Sequence, residues 1–243
     1  MLNKQAIEEQ AVFERHEKKY MLTKSQYLFL DKALQQYMEE DQYGLHCICS
    51  LYFDTDNFQL IRHAGEKPVY KEKLRLRSYG VPTPDQTVFI ELKKKFKGVT
   101  YKRRMPIKYK EAWRYLNYGI KPTERGQIFN EIDWFVYQYH TRPKVLLFYD
   151  RIALFGKEDN DFRITFDFNV RFREDNLDIS KGRYGTPILD KDITLMEVKT
   201  LKAMPQWFSI LLSDLKIYPQ SFSKYGSVYK NYLYNREELK NAE

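Results

Sequence analysis

Between Tyr70 and Tyr79 the chain reads Y-K-E-K-L-R-L-R-S-Y, placing Lys71, Lys73, Arg75 and Arg77 at every second position. In a β-strand successive side chains point to opposite faces, so this spacing puts four cations in a row on one face. Like charges about two residues apart repel one another, and a folded protein that keeps such a row needs something anionic against it. The same i, i+2 spacing recurs elsewhere. Arg15, Glu17 and Lys19 share a face, as do Glu91 and Lys93, Lys102 and Arg104, Tyr149 and Arg151, Arg163 and Asp167, and Glu197 and Lys199. Twelve cations on these faces meet only four acids, Glu17, Glu91, Asp167 and Glu197. A solvated surface mixes its signs more evenly. The chemistry such a set can do is to bind a linear polyanion such as a phosphate chain. Acids among phosphate-binding cations weaken anion binding unless they hold a divalent metal, which Mg²⁺ or Mn²⁺ would share with phosphate oxygens.

The elements that position these residues follow from periodicity. Residues 11–22 alternate as a strand, Thr23 reads as a helix N-cap, and Tyr27, Leu30, Leu34 and Tyr37/Met38 recur at helical spacing up to a stop near 41–44. Residues 45–54 form an apolar β-prone run, followed by a short helix over 56–64 and the basic strand at 70–79. Residues 86–96 and 99–109 make a hairpin across Lys97-Gly98. A mostly helical region over 109–141 offers Trp113, Leu116, Ile128, Ile132 and Phe135 to the core. Strands are expected at 144–156, 161–171 and 192–200. A helix opens at Pro205 with Trp207, Ile210, Leu211 and Leu215, and another is capped by Ser223.

About eight strands joined mostly by antiparallel connections suit an α+β fold, a closed β-barrel with helices packed outside. A single domain over 1–243 is the expected organisation, since no repeat or linker-like shift in composition interrupts it. Alternation alone does not say whether a charged face points outward to water or inward to a lumen. The skewed charge and the apolar stripes of the helices, which need an apolar sheet face to cover, favour the lumen.

Composition narrows the rest. With 43% hydrophobic and 16% aromatic residues the chain is globular, and its net charge of +8 favours an anionic partner. Cys47 and Cys49, two residues apart, suit packing better than a disulfide or a metal site. The histidines, His16, His46, His63 and His140, show no ligand spacing. The N-terminus has no apolar signal region, and no run approaches the length of a membrane span, so a cytoplasmic protein is expected. Nucleic acid is the least suited anion, because its binders carry cations on open surfaces with stacking aromatics.

The segments R-H-E-K-K-Y (15–20), S-L-Y-F-D-T (50–55), K-L-R-L-R-S-Y-G (73–80), V-F-I-E-L-K-K-K (88–95), Y-D-R (149–151), F-R-I-T-F-D (162–167), M-E-V-K (196–199) and F-S-K-Y (222–225) resemble the VTC domain. That domain is the polyphosphate polymerase domain of the vacuolar transporter chaperone complex, within the triphosphate tunnel metalloenzyme (CYTH-like) superfamily. The resemblance implies a tunnel whose basic lining holds polyphosphate, ATP as phosphoryl donor, and a divalent metal. It implies Lys19, Arg75, Arg77, Lys93, Lys102, Tyr149, Arg151, Ser223 and Lys224 as phosphate contacts, with Arg15, Lys73, Arg104, Arg163 and Lys199 beside them. Lys19, Arg75, Arg77, Arg151 and Glu197 would carry catalysis. Glu197 would be the metal ligand, with Glu17 and Glu91 as further candidates; a single Glu17 stands where the superfamily usually has two acids. The sequence carries neither the SPX domain nor the membrane helices of the eukaryotic complex, which leaves a separate membrane protein as the possible recipient of product. Hydrolysis of triphosphate and non-catalytic polyphosphate binding are the alternative activities.

Overall fold

The elements arise where local chemistry favours them. A computed structural model describes residues 16–123 and 125–234; Arg15 lies outside the described residues. Strand β1 (His16–Thr23) runs into helix α1 (Lys24–Leu34), where Thr23 and Gln26 form a reciprocal capping box. Short β2 (Met38–Glu40), β3 (His46–Asp54), α2 (Gln59–Gly65) and β4 (Tyr70–Tyr79) follow. Strands β5 (Thr87–Phe96) and β6 (Val99–Lys108) pair across Lys97 and Gly98, both at positive φ (45° and 89°), the turn whose twist suits a two-residue hairpin. Helices α3 (Tyr109–Tyr118) and α4 (Gln127–Tyr139) lead to long β7 (Arg142–Gly156) and β8 (Arg163–Arg173). Then come β9 (Thr186–Pro187), β10 (Ile193–Thr200), α5 (Gln206–Asp214) and α6 (Lys224–Val228), the last continuing as a π-helical turn over Tyr229–Leu233.

The sheet order is β1-β10-β8-β7-β3-β4-β5-β6, every pair antiparallel, with β2 and β9 appended to β7 and β8. The fold is α+β and mostly antiparallel, but the expected closure into a barrel does not occur. Among the described residues no ladder joins β1 to β6. The free edge of β1 instead accepts a bond from the C-terminal segment, Gln220 N to Lys19 O at 2.7 Å. The sheet is curled, and the irregular segment leading into α6 runs from the edge of β1 to Lys73 of β4.

Helices cover the convex face, as the apolar stripes require. Leu74, Leu76, Val88, Ile90 and Leu92 are fully buried beneath α3 and α4, with Ile132 and Phe135 in the same cluster. Each such side chain contributes roughly 1.5–3 kcal/mol by leaving water. Trp113 and Ile128 are only partly buried against that cluster. Tyr20, Leu22, Ile164, Phe166, Met196 and Val198 meet α1 and α5, where Phe208 and Leu212 are the deepest residues of α5 and Ile210 is exposed. Cys49 is buried in the first cluster and Cys47 packs partly against it, both free thiols.

Helix α6 departs from the expectation that all helices pack outside. Its Tyr225 stacks on Tyr52 (4.8 Å) and shares a cluster with Val145, Leu147 and Phe172 on the concave face. Two local devices permit this. Asp54, fully buried, accepts from Leu60 N (2.9 Å), Ile61 N (3.0 Å) and the Tyr225 hydroxyl (2.9 Å), tying α2 and α6 to the end of β3. The register between β7 and β8 shifts near Asn169, which sits at φ 49°. A bulge of this kind inverts the faces that follow it. Arg163, Thr165 and Asp167 precede it on the charged face, whereas Val170 and Phe172 beyond it supply apolar contacts on the same side.

Candidate functional site

The charged faces point inward. Six strands and α6 supply a chamber of about 170 Å³. Its lining takes Glu17 and Lys19 from β1, Tyr52 from β3, Lys73, Arg75 and Arg77 from β4, and Glu91 and Lys93 from β5. Tyr149 and Arg151 from β7, Glu197 and Lys199 from β10, and Ser223 and Lys224 complete it. Eight of these side chains are cations and three are carboxylates, a local balance of 8 − 3 = +5. Buried charge without a partner is costly, so the arrangement is one that an anion completes.

The carboxylates are tightly engaged. Glu91, 1% exposed, takes Arg75 Nε at 2.7 Å, Lys102 Nζ at 2.7 Å, Arg104 Nε at 2.9 Å and Arg77 Nε at 3.9 Å. Burial works against its ionisation, but these cations hold it well below the ordinary carboxylate range. Asp167, fully buried, takes Arg151 through two bonds (2.6 and 2.8 Å) and also Lys224. Lys224 reaches Glu197 as well (3.2 Å), with Arg151 and Lys199 each 3.9 Å from the same carboxylate. Glu197 is likewise pushed well below its usual range, burial being outweighed by Lys224, Lys19 and Arg151.

The cations are less well matched. Lys73 donates to Ser223 Oγ at 3.2 Å and, among the described residues, has no carboxylate within ion-pair distance. Burial, together with Lys19, Lys71 and Lys93, lowers it to about 8. Lys102 is also at about 8, desolvation outweighing Glu91. Lys199 is lowered by burial despite Glu197. Tyr52 donates no charge but feels it: burial opposes ionisation, yet Arg75, Arg77 and Lys73 bring its hydroxyl to about 8. Arg75 Nη1 donates to that hydroxyl at 3.1 Å, and Arg77 binds Ser50 Oγ (3.3 Å) and Tyr149 OH (3.0 Å).

Metal-binding capacity rests on one pair. Glu17 and Glu197 approach Lys19 Nζ at 3.4 and 3.7 Å, and each carboxylate disfavours ionisation of the other. Two repelling carboxylates beside a phosphate-sized space fit a divalent ion that takes its remaining ligands from phosphate. Among the described residues no group of three or more His, Cys, Asp or Glu side chains gathers to hold a metal by itself. Glu91 fits that role less well, because four cations already surround its carboxylate.

Most of the expected residues therefore converge, and the exceptions lie at the edges. Lys102 reaches the site only through Glu91. Arg104 and Arg163 line a wider cleft of about 830 Å³, which shares Arg77, Arg151 and Lys199 with the chamber. Tyr52 was not singled out as a site residue. Asp167, recognised as an acid on the charged face of β8, serves here as the ion-pair partner of Arg151 and Lys224. Tyr52 lies in an apolar run with no polar alternation, which hid it.

The chain compares with known proteins as follows. The model of the family described as the VTC domain matches residues 14–232. Among solved structures, a candidate adenylate cyclase from Bacillus halodurans is similar at 13% identity and a TM-score of 0.55, covering 90% of this chain and 99% of that one. A candidate adenylyl cyclase from Hippeastrum, described as having a dominant triphosphatase activity, is similar at 15% identity and a TM-score of 0.51, covering 88% and 94%. At such identities the likeness is one of fold. None of the curated proteins matches the chain.

Proposed function

The chain belongs to the VTC-domain family, and from that premise we propose that it transfers the terminal phosphoryl group of ATP to the end of an inorganic polyphosphate chain. The observation that carries this reading is the inward convergence of eight cations on a chamber with three carboxylates. The acceptor's terminal phosphate oxygen attacks the γ-phosphorus, a new P–O–P bond forms, the bond from the γ-phosphorus to the bridging oxygen breaks, and ADP leaves. That oxygen is already ionised near neutral pH, so no general base is needed. Arg75, Arg77, Arg151 and Lys19 hold the reacting phosphates and offset the charge that develops on them, which is most of what phosphoryl transfer asks of a protein. Lys73, Lys93, Lys199, Ser223 and Lys224 extend the cradle, with Lys102, Arg104 and Arg163 at its margins. Glu197 and Glu17 would hold Mn²⁺ or Mg²⁺, which supplies neutralisation of phosphoryl oxygens when bound.

A phosphate acceptor fits these residues better than water does. Hydrolysis calls for a carboxylate able to take a proton near neutral pH. Glu91 is engaged by four cations and Glu17 and Glu197 are assigned to the metal, so none of the three is left to take a proton from water. Incubation with ATP and Mn²⁺, followed by phosphorus NMR, tests the proposal. Long-chain phosphate with ADP is the expected product. Orthophosphate alone would assign a triphosphatase, and tight polyphosphate binding without turnover a binding module.

A further inference from the structure

The chamber is too small for a whole nucleotide. At about 170 Å³ it admits phosphate groups, whereas the adjoining cleft of about 830 Å³ has the size of a small-molecule pocket. The two share Arg77, Arg151 and Lys199, so a ligand whose phosphates lie among those cations would extend directly into the cleft. The cleft wall differs in kind from the chamber. Tyr43, His46, Tyr79 and Phe89 form an aromatic wall of mutually inclined rings, with successive centroids 6.1, 6.1 and 5.8 Å apart and interplanar angles of 68°, 44° and 82°. Arg104 lies 3.8 Å over the Phe89 ring and donates to the Tyr79 hydroxyl at 2.6 Å, so its planar guanidinium continues the same surface. Tyr43 is 68% exposed and Tyr79 42%, leaving ring faces open to a ligand. His46 Nδ1 lies 2.8 Å from Gly44 O, which can only accept, so this nitrogen carries a proton and donates to it.

A phosphate chain has no use for this surface. Flat aromatic faces recognise flat rings, and stacking of a base on an aromatic side chain is sequence-tolerant and strong. We propose that the cleft is a nucleoside subsite, in which the base of a nucleoside triphosphate stacks on the open ring face of Tyr43, with His46 edge-on beside it, while its phosphates enter the chamber. This rests on the phosphate-binding reading of the chamber and adds to it the means of telling a nucleotide donor from inorganic triphosphate.

The test is calorimetric titration of the full chain with ATP and, separately, with inorganic tripolyphosphate, for the wild type and for Tyr43→Ala/His46→Ala. Neither substituted residue lines the phosphate chamber, and Tyr43 lies in an exposed turn. The double variant is expected to bind ATP about tenfold more weakly, since a stacked base is worth roughly 1–3 kcal/mol, and to bind tripolyphosphate as the wild type does. Unchanged tripolyphosphate binding also reports that the variant is folded. Equal affinity for ATP in variant and wild type would overturn the nucleoside subsite while leaving the chamber intact. Equal weakening of both ligands would overturn it too, by making the cleft a general anion entrance. Failure of the wild type to bind tripolyphosphate would overturn the chamber reading, and the subsite with it.

Discussion

Anion binding in the chamber should be accompanied by proton uptake, and Lys73 is the place to look. Burial and the neighbouring cations hold Lys73 at about 8, and Lys102 stands at about 8 for the same leading reason. A phosphate group beside the Lys73 ammonium favours its charged form and returns it toward an ordinary value of about 10.4. The sign follows directly. The free protein binds fewer protons than the complex between these values, so affinity is full below about pH 8 and falls as pH rises through it. Near pH 8 Lys73 is about half protonated when free, so binding tripolyphosphate should take up about half a proton through this residue. Between about pH 7.5 and about pH 9.5 deprotonation of Lys73 should weaken binding roughly tenfold, a window above the second phosphate ionisation at about 6. Titration calorimetry near pH 8 in two amine or sulfonate buffers of different ionisation enthalpy measures the uptake. Lys73→Gln should remove about half a proton from it. Zero uptake in the wild type, or an unchanged uptake in Lys73→Gln, would refute the claim that Lys73 is an under-neutralised cation facing bound phosphate.

Three further outcomes are expected. Glu197→Gln should abolish turnover with ATP while leaving polyphosphate bound, measured by phosphorus NMR and by titration of the chain; retained turnover would remove Glu197 from the metal site. Replacing both Arg75 and Arg77 by Ala should weaken polyphosphate binding roughly a hundredfold at low salt, because hydrogen bonds to charged groups are worth about 1.5–3 kcal/mol each. An unaltered affinity would place the ligand elsewhere. Asp54→Ala strips acceptors from Leu60 N, Ile61 N and Tyr225 OH and should lower stability by about 3 kcal/mol in denaturant unfolding; a change below about 0.5 kcal/mol would deny that Asp54 anchors α6.

Several features were legible without coordinates because they depend on residues close in the chain. Thr23 with Gln26 specifies a helix start through its own hydrogen bonds, and Lys97-Gly98 specifies a hairpin through its dihedral preferences. The alternation of Lys71, Lys73, Arg75 and Arg77 with Leu74 and Leu76 could be assigned to two faces of one strand by period alone. The short β2 was hidden, since Met38 continued the apolar spacing of α1 although the helix ends at Leu34. Aromatic residues in the unpatterned run at 45–54 gave no cue that Tyr52 would face the cations.

What sequence determined by itself is the membership of each face: period 2 groups Arg75 with Arg77 and Glu91 with Lys93 whatever the sheet does next. What only tertiary structure decided is where those faces go. Reversing the curl of a sheet leaves every alternation unchanged, so the inward direction depends on α1, α3, α4 and α5 burying the apolar faces on the convex side. The same holds for closure. The backbone of β1 bonds to Gln220 and not to β6, and that segment carries Ser223 and Lys224 to Lys73 and Glu197, partners 150 and 27 residues away in the chain. Contacts at such separations are set by packing, which no local pattern encodes, and through them the row on β4 became one wall of a chamber.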